Sequence, residues 1–191
     1  CIIIAVPISV FKQVCESMKP HIKPGTIILD VCSVKEYPLE VIKEVLPEHA
    51  QNYIGTHPLF GLQSAPNSCA GQRVVICGNT GGPEAHIWAM SVFNKLKLNT
   101  IFCSAMEHDR EMARTQVLDH FIGKGLVKAG IKRSNMSTVT HEKLMDIVDI
   151  VEGNTTQLFL DMNKYNKHTK EMRSELISKL DDLHVELSDN E

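Results

Sequence analysis

The chain has 191 residues, of which 43% are hydrophobic and 23% charged, as expected for a globular protein of one or two domains. Its formal net charge of −3 gives no electrostatic basis for binding nucleic acid, and no apolar run approaches the roughly 18 residues that span a membrane. The six cysteines contain no C-x-x-C pair, which argues against a metal site and indicates the reduced thiols of a cytosolic protein.

Short apolar runs alternate with helical stretches in the first half of the chain. Predicted strands are 2–6, 26–30, 53–57, 73–77 and 100–102, and predicted helices are 10–18, 34–46 and 83–96. Because the apolar runs show no clear alternation, we expect strands that are covered on both faces, as in a parallel sheet. The order of elements predicts an α/β fold over residues 1–103, equivalent to half of a doubly wound sheet.

Helical periodicity replaces this pattern after Cys103. Ser104-x-x-Glu107 has the form of a capping box, and a helix is predicted from 106 to about 129. Thr140 can cap a second helix through 151. Asn154-Thr155-Thr156-Gln157 is a cap-like start for a third, which continues through 164, towards 183. Residues 104–187 are therefore predicted to form an all-helical domain.

Two side chains are candidates for chemistry at one edge of the predicted sheet. His57 ends the third strand, before Pro58, and ligands of open α/β sheets bind beyond the carboxyl ends of strands. A histidine there can accept a proton near neutral pH, although a capping or turn histidine is the alternative. Ser33 follows the second strand at the same edge, where it could bond a substrate hydroxyl, orient the histidine or simply cap a helix.

The predicted helix 106–129 carries two further candidates. Gln116 and His120 place polar groups beside a mostly apolar stripe, and buried polar groups need partners. A bound substrate could be that partner, but a core histidine satisfied by the protein itself is the alternative. The charged cluster at 107–111 is interpreted as a solvated helix end, where the helix dipole favours acids. No G-x-G-x-x-G turn occurs, so the residues alone show no dinucleotide phosphate site.

Five segments in order carry a resemblance to a known family. They are Ala5-Val6-Pro7-Ile8, Asp30-Val31-Cys32-Ser33-Val34-Lys35, Thr56-His57-Pro58-Leu59-Phe60-Gly61, Glu107-His108-Asp109 and Gln116-Val117-Leu118-Asp119-His120-Phe121. In these motifs the chain resembles the TyrA family of prephenate and arogenate dehydrogenases over about residues 1–180. The segment that begins at Asp30 is most similar to the plant-type arogenate branch.

The resemblance implies the second half of a Rossmann-like NAD- or NADP-binding domain, followed by a helical substrate domain that forms a homodimer. It implies oxidative decarboxylation of prephenate or arogenate towards tyrosine, in the cytoplasm or, in a plant, the plastid stroma. His57 would be the base and Ser33 would bond the reacting hydroxyl. Gln116 and His120 would line the substrate site. Ala5, Val6 and Pro7 would pass close to the cofactor.

Two features of the family pattern are missing from the residues present. The cation for the ring carboxylate is not evident, and the candidates are Lys124, Arg133 and Lys143. Because Cys1 opens inside an apolar, β-branched run, we also expect that further chain, with the phosphate-binding turn, lies upstream. The alternative is a truncated, non-catalytic module that dimerises or binds substrate.

Overall fold

The computed structural model describes residues 1–61, 64–78 and 80–189, and the chain divides into two compact units, Cys1–Asp109 and Arg110–Glu191. The predicted change of architecture after Cys103 falls among the last residues of the first unit. The strands are β1 (Ile2–Ile4), β2 (Ile28–Asp30), β3 (Tyr53–Pro58), β4 (Arg73–Cys77) and β5 (Asn99–Cys103). The helices of the first unit are α1 (Phe11–Met18), α2 (Glu36–Val45) and α3 (Pro83–Lys95).

The five strands form one sheet in the order β1-β2-β3-β4-β5. The β1–β2, β2–β3 and β4–β5 pairs are parallel, as predicted, but β3 and β4 are antiparallel. A parallel return needs a crossover connection, usually a helix, and the described part of the segment 59–72 contains none. The sheet is therefore mixed.

The apolar runs are covered on both faces of the sheet, as their lack of alternation predicts. Val74 and Ile76 of β4 pack in a core with Ala89 of α3. The alternating residues Val75 and Cys77 lie on the opposite face, in a second core with Ala105. Successive strand residues point to opposite faces, so both sides of β4 are buried.

The turn before α3 packs tightly against β3. Gly81 has a φ of +66°, and a Cβ at this position would lie 2.4 Å from the carbonyl oxygen of Tyr53. Only glycine combines that backbone conformation with so close an approach. Pro83 then occupies the first turn of α3, where a missing N–H is tolerated.

Helices alone make up the described part of the second unit. They are the end of α4 (Ala105–Arg114), which contains the division between the units, then α5 (Gln116–Lys128), α6 (Val139–Glu152), α7 (Thr156–Tyr165) and α8 (Thr169–Ser188). The prediction of a single helix over 106–129 is wrong, because the helical conformation is interrupted at Thr115, which has φ −116° and ψ −91°. The Thr115 hydroxyl donates to the carbonyl of Glu111, a local bond that disturbs helices.

Two of the three predicted helix starts have the expected caps. The amide of Glu107 donates to Ser104 Oγ at 3.1 Å and the amide of Ser104 donates to the Glu107 carboxylate at 2.8 Å, which confirms the capping box. Thr155 caps α7 by accepting from the amide of Leu158. The Thr140 cap is wrong. Thr138 caps α6 instead, so that Thr140 lies inside the first turn.

All six cysteines are free thiols, in agreement with the sequence-based prediction. Within the described ranges, no three His, Cys, Asp or Glu side chains are grouped so that they could hold a metal ion. The helices in the same ranges are too short or too polar to cross a membrane.

Candidate active site

The parallel pairing of β1, β2 and β3 brings three chain segments to one edge of the sheet. Ile4 pairs with Asp30, and Asp30 pairs with Gly55, so the residues that follow each of these positions lie at the same edge of the sheet. They include Ala5 after β1, Ser33 after β2 and His57 near the end of β3. Pro58 remains in the sheet as the last residue of β3, opposite Val74, rather than ending the strand before it.

His57 is held by a second histidine. Its Nδ1 lies 2.9 Å from Nε2 of His108, and the two rings meet edge to face with a 71° angle between their planes. His57 is only 4% exposed. Because it lies within β3 and bonds a distant side chain, the alternative of a helix-capping or turn histidine does not apply.

Burial controls the protonation of this pair. Desolvation lowers the pKa of His57 well below its usual value, and the nearby His108 and Lys35 lower it further. Burial also lowers the pKa of His108, an effect that the adjacent Asp109 opposes. Both imidazoles are therefore neutral at pH 7. Within the described ranges, Nε2 of His57 has no hydrogen-bond partner, so this nitrogen can accept a proton from a ligand.

His108 and Asp109 were missed as site residues, because the cluster 107–111 was interpreted as a solvated helix end. That interpretation is wrong for these two side chains, which are 2% and 0% exposed. The signal was present in the sequence. Ala105, Met112 and Ala113 fall at helical spacing and are buried, and the same spacing places His108 and Asp109 on that face of α4.

Asp109 caps α2 from a distant part of the chain. Its two carboxylate oxygens accept from the backbone amides of Lys35, at 2.7 Å, and Glu36, at 2.9 Å. The expected N-cap, Ser33, plays no such part, since α2 begins only at Glu36. Ser33 is half-buried, and its hydroxyl makes no hydrogen bond to any residue that the structure describes. That hydroxyl is therefore available to a ligand.

A buried ion pair lies beneath this edge. Lys35, 1% exposed, bonds the Asp30 carboxylate through Nζ and also donates to the carbonyl oxygen of Thr56 at 2.5 Å. The Tyr53 hydroxyl donates to the other oxygen of Asp30 at 2.6 Å, and the amide of Cys32 donates to the first at 2.8 Å. These bonds fix the ends of β2 and β3, and thereby the backbone beside His57.

The second unit contains the other two predicted site residues. Nδ1 of His120 lies 2.7 Å from the carbonyl oxygen of Gln116, and its Nε2 lies 3.2 Å from Nδ2 of Asn154. Both ring nitrogens of His120 are thus engaged, which favours the alternative of a histidine satisfied by the protein itself. The side-chain oxygen of Gln116 is buried and has no partner among the described residues.

The three cations considered for binding the ring carboxylate are Lys124, Arg133 and Lys143. Lys124 bonds Glu152 at 2.9 Å. Arg133 forms ion pairs with three carboxylates of α6, those of Glu142, Asp146 and Asp149. These two cations are already paired, whereas Lys143 is exposed on α6.

A family model described as "Prephenate dehydrogenase, nucleotide-binding domain" matches residues 1–100. The chain belongs to the prephenate dehydrogenase family. A second model, described as "TYRAAT1-like, C-terminal domain", matches residues 126–191. The family membership predicted from the five motifs is thereby confirmed.

Curated relatives from an archaeon and a plant agree with membership of the prephenate dehydrogenase family. The chain is 30% identical over 187 residues to the "Probable arogenate/prephenate dehydrogenase" of Methanocaldococcus jannaschii, covering 93% of this chain and 41% of that protein. It is 27% identical over 161 residues to "Arogenate dehydrogenase 2, chloroplastic" of Arabidopsis thaliana, covering 82% and 45%. The chain thus spans less than half the length of these relatives.

Solved structures of prephenate and arogenate dehydrogenases share the fold. The Aquifex aeolicus prephenate dehydrogenase in complex with hydroxyphenyl propionate and NAD+ superposes with a TM-score of 0.79 at 15% identity, covering 98% of this chain and 68% of that one. The Synechocystis arogenate dehydrogenase gives 0.72 at 20% identity, covering 99% and 72%. These likenesses confirm the predicted fold class, an α/β nucleotide-binding part followed by a helical part.

Proposed function

We propose that this chain carries the catalytic base of an oxidative decarboxylation, in which prephenate or arogenate is converted towards tyrosine with NAD+ or NADP+ as the oxidant. The observation that supports this most directly is His57. It is a neutral, buried imidazole at the carboxyl edge of β3, in a domain of the nucleotide-binding family, and its Nε2 has no partner among the described residues.

The chemistry needs one proton acceptor and one group that holds the reacting hydroxyl. Nε2 of His57 takes the proton of the ring hydroxyl, either directly or through one water. Ser33, whose hydroxyl is not engaged in capping α2, donates to or accepts from the same hydroxyl. As the proton leaves, the carbinol carbon releases its hydride. The ring then loses CO₂ and becomes aromatic, which drives the reaction forward.

The residues after β1 fit one part of a nicotinamide cofactor. Ala5 and Pro7 are exposed and Val6 is half-buried, so they offer a small apolar surface at the carboxyl end of a parallel strand. When bound there, a nicotinamide supplies the acceptor for the hydride. The residues for its phosphates are not evident, since the sequence contains no G-x-G-x-x-G turn.

Of the two candidates in the second unit, Gln116 is the better candidate for a contact with the substrate, and His120 is the weaker one. The buried side-chain oxygen of Gln116 is an acceptor without a described partner, and such a group is stabilised when a ligand donates to it. His120 instead joins α5 to Asn154, just beyond α6, and helps to hold the backbone that carries Gln116.

We further propose a homodimer, supported by the surface of α8. Leu176, Leu180, Leu183 and Leu187 repeat at spacings of four, three and four residues, as in a coiled-coil seam. The last three of them are 54–66% exposed. An apolar stripe of this kind on a long helix is stabilised by burial against a second helix.

A steady-state assay of the complete gene product tests the proposed function. Prephenate and arogenate are each supplied with NAD+ and with NADP+, and both reduced nicotinamide and CO₂ are measured. We expect equal amounts of the two products with at least one pairing. Saturable binding of substrate without turnover in all four pairings would instead support the alternative of a non-catalytic module.

A further inference from the structure

Hydrogen bonds connect Asp109 through His108 to His57, all within the first unit. The Asp109 carboxylate lies 2.7 Å from Nδ1 of His108 and accepts from the backbone amides of Lys35 and Glu36. Because those amides can only donate, the carboxylate serves as an acceptor here, as expected of its ionised form. The proton between Asp109 and His108 therefore belongs to Nδ1 of His108.

The position of this proton decides the tautomer of the next ring. A neutral imidazole has one donor and one acceptor nitrogen, so Nε2 of His108 must accept. Nδ1 of His57 lies 2.9 Å from it and therefore donates. The lone pair of His57 is then on Nε2, the nitrogen that a general base needs. The opposite tautomer would point an N–H at the hydroxyl whose proton is to be removed.

We propose that His108 and Asp109 are positioning residues of the reaction: they hold His57 in the tautomer with an unprotonated Nε2 and offset the positive charge that His57 gains. The inference rests on the proposed function of His57 as the base. Neither residue needs to touch substrate, since both act through the imidazole of His57.

The charges around Asp109, His108 and His57 fit the role of offsetting a positive charge on His57. Two carboxylates, Asp30 and Asp109, are accompanied by one ammonium, Lys35, so the buried cluster has one excess negative charge while both histidines are neutral. A proton on His57 makes the cluster neutral. Four neighbouring thiol and phenol groups stay uncharged because burial raises their pKa values; they are Cys32, Tyr53, Cys77 and Cys103.

Asp109 also couples the base to the loop that carries Ser33. Its carboxylate binds the amides of Lys35 and Glu36, which lie two and three positions after Ser33. Substitution of Asp109 should therefore disturb both the tautomer of His57 and the position of the Ser33 hydroxyl. Substitution of His108 should disturb the tautomer alone, so His108 gives the cleaner test.

The experiment combines NMR of the histidine ring nitrogens with kinetics of the complete gene product. In the unmodified protein, His57 should carry its proton on Nδ1. In His108→Leu, which offers no acceptor, both tautomers should appear and kcat should fall by about 10²-fold or more, with little change in KM. In His108→Gln, the side-chain oxygen can accept from Nδ1 of His57, so the tautomer should be retained. The kcat of this variant should be at least about tenfold higher than that of His108→Leu.

His86→Gln, in α3, is the matched control and should leave kcat unchanged. Circular dichroism establishes that each variant folds. If His108→Leu does not, the ring-nitrogen spectrum of the unmodified protein and the His108→Gln variant still decide the question. A proton on Nε2 of His57, or a kcat of His108→Leu within about twofold of the unmodified value, would overturn the inference. If the unmodified protein shows the expected tautomer but turns over neither substrate, the proposed function is overturned, whereas the tautomer assignment still holds.

Discussion

The carboxylate of Asp109 accepts a hydrogen bond from the backbone amide of Lys35, 74 positions earlier in the chain, at 2.7 Å. The bond joins the second turn of α4 to the start of α2, so two segments far apart in sequence share one buried acceptor. The Lys35 side chain bonds the Asp30 carboxylate in turn. His57, the proposed base, thus lies beside a polar network whose members are almost wholly buried.

The first prediction concerns the buried ion pair of that network. Lys35→Met leaves the Asp30 carboxylate without its cation, and we expect the free energy of unfolding to fall by about 3–5 kcal/mol. Adding Asp30→Asn should recover most of the loss, because no unpaired charge then remains. Denaturant unfolding measures both. The exposed Lys12 pairs with Glu44 on the surface, and Lys12→Met should change little. Equal losses for the two lysines would show that the buried pair contributes no more than the surface pair.

The second prediction is a loss of stability in acid caused by the buried histidines. The pKa values of His57 and His108 are lowered in the folded state, whereas the unfolded chain binds protons near pH 6.5. As the pH falls below about 6.5, unfolding takes up protons that the folded state excludes, and stability falls by up to about 1.4 kcal/mol per pH unit for each such group.

This slope should be smaller in His57→Asn, which removes one of the two groups, than in the unmodified protein. Denaturant unfolding at several pH values between neutrality and about pH 5 measures the slope. Gln13→Asn, an exposed change without a titrating group, serves as the control. An identical slope in His57→Asn and the control would show that His57 is not buried in its neutral form.

The third prediction concerns the capping box of α4. Ser104→Ala removes the oxygen that accepts from the amide of Glu107 and should destabilise the protein by about 0.5–2 kcal/mol at neutral pH. The bonds from Ser104 also lower the pKa of Glu107. The stability that this carboxylate contributes is thus present above its ordinary titration range and is lost as the pH falls through its lowered pKa. The difference in stability between Ser104→Ala and the unmodified protein should therefore shrink as the pH falls through that lowered pKa. The control Ser91→Ala, in the middle of α3, should have little effect on stability at any pH.

The fourth prediction concerns association through α8. Leu180→Glu with Leu187→Glu places two charges on the exposed apolar stripe, and a dimer that buries this stripe should dissociate. Sedimentation or light scattering of the complete gene product measures the mass. Ile87→Glu is a matched control, since Ile87 is an exposed apolar residue on α3. An unchanged dimer in the α8 variant would place the interface elsewhere.

Local sequence patterns predicted most elements because their causes are local. The strand at Arg73–Cys77 and the capping box at Ser104 and Glu107 depend on residues a few positions apart. The break at Thr115 also has a local cause, since the threonine hydroxyl bonds the carbonyl of Glu111. Whether such a bond breaks a helix depends on how it competes with the backbone hydrogen bonds of that helix. Periodicity alone could not decide that competition.

The site was predicted only in part, because its decisive bonds are non-local. The motif order singled out His57 and Ser33 as candidates, but the partner of His57 is 51 positions away and the cap of α2 comes from Asp109. A capping serine is the usual expectation from S-x-x-E, and nothing within four residues of Ser33 indicates that a distant carboxylate takes its place. The antiparallel pairing of β4 with β3 likewise follows from a connection whose described residues form no crossover helix.

The kcat of His57→Asn in the complete gene product tests most directly whether His57 is the base. The amide side chain keeps polarity near Nδ1 but has no nitrogen that can accept the hydroxyl proton. We predict a fall in kcat of about 10²–10⁴-fold, with an unchanged circular dichroism spectrum. Near-normal turnover by the folded variant would show that His57 is not the base.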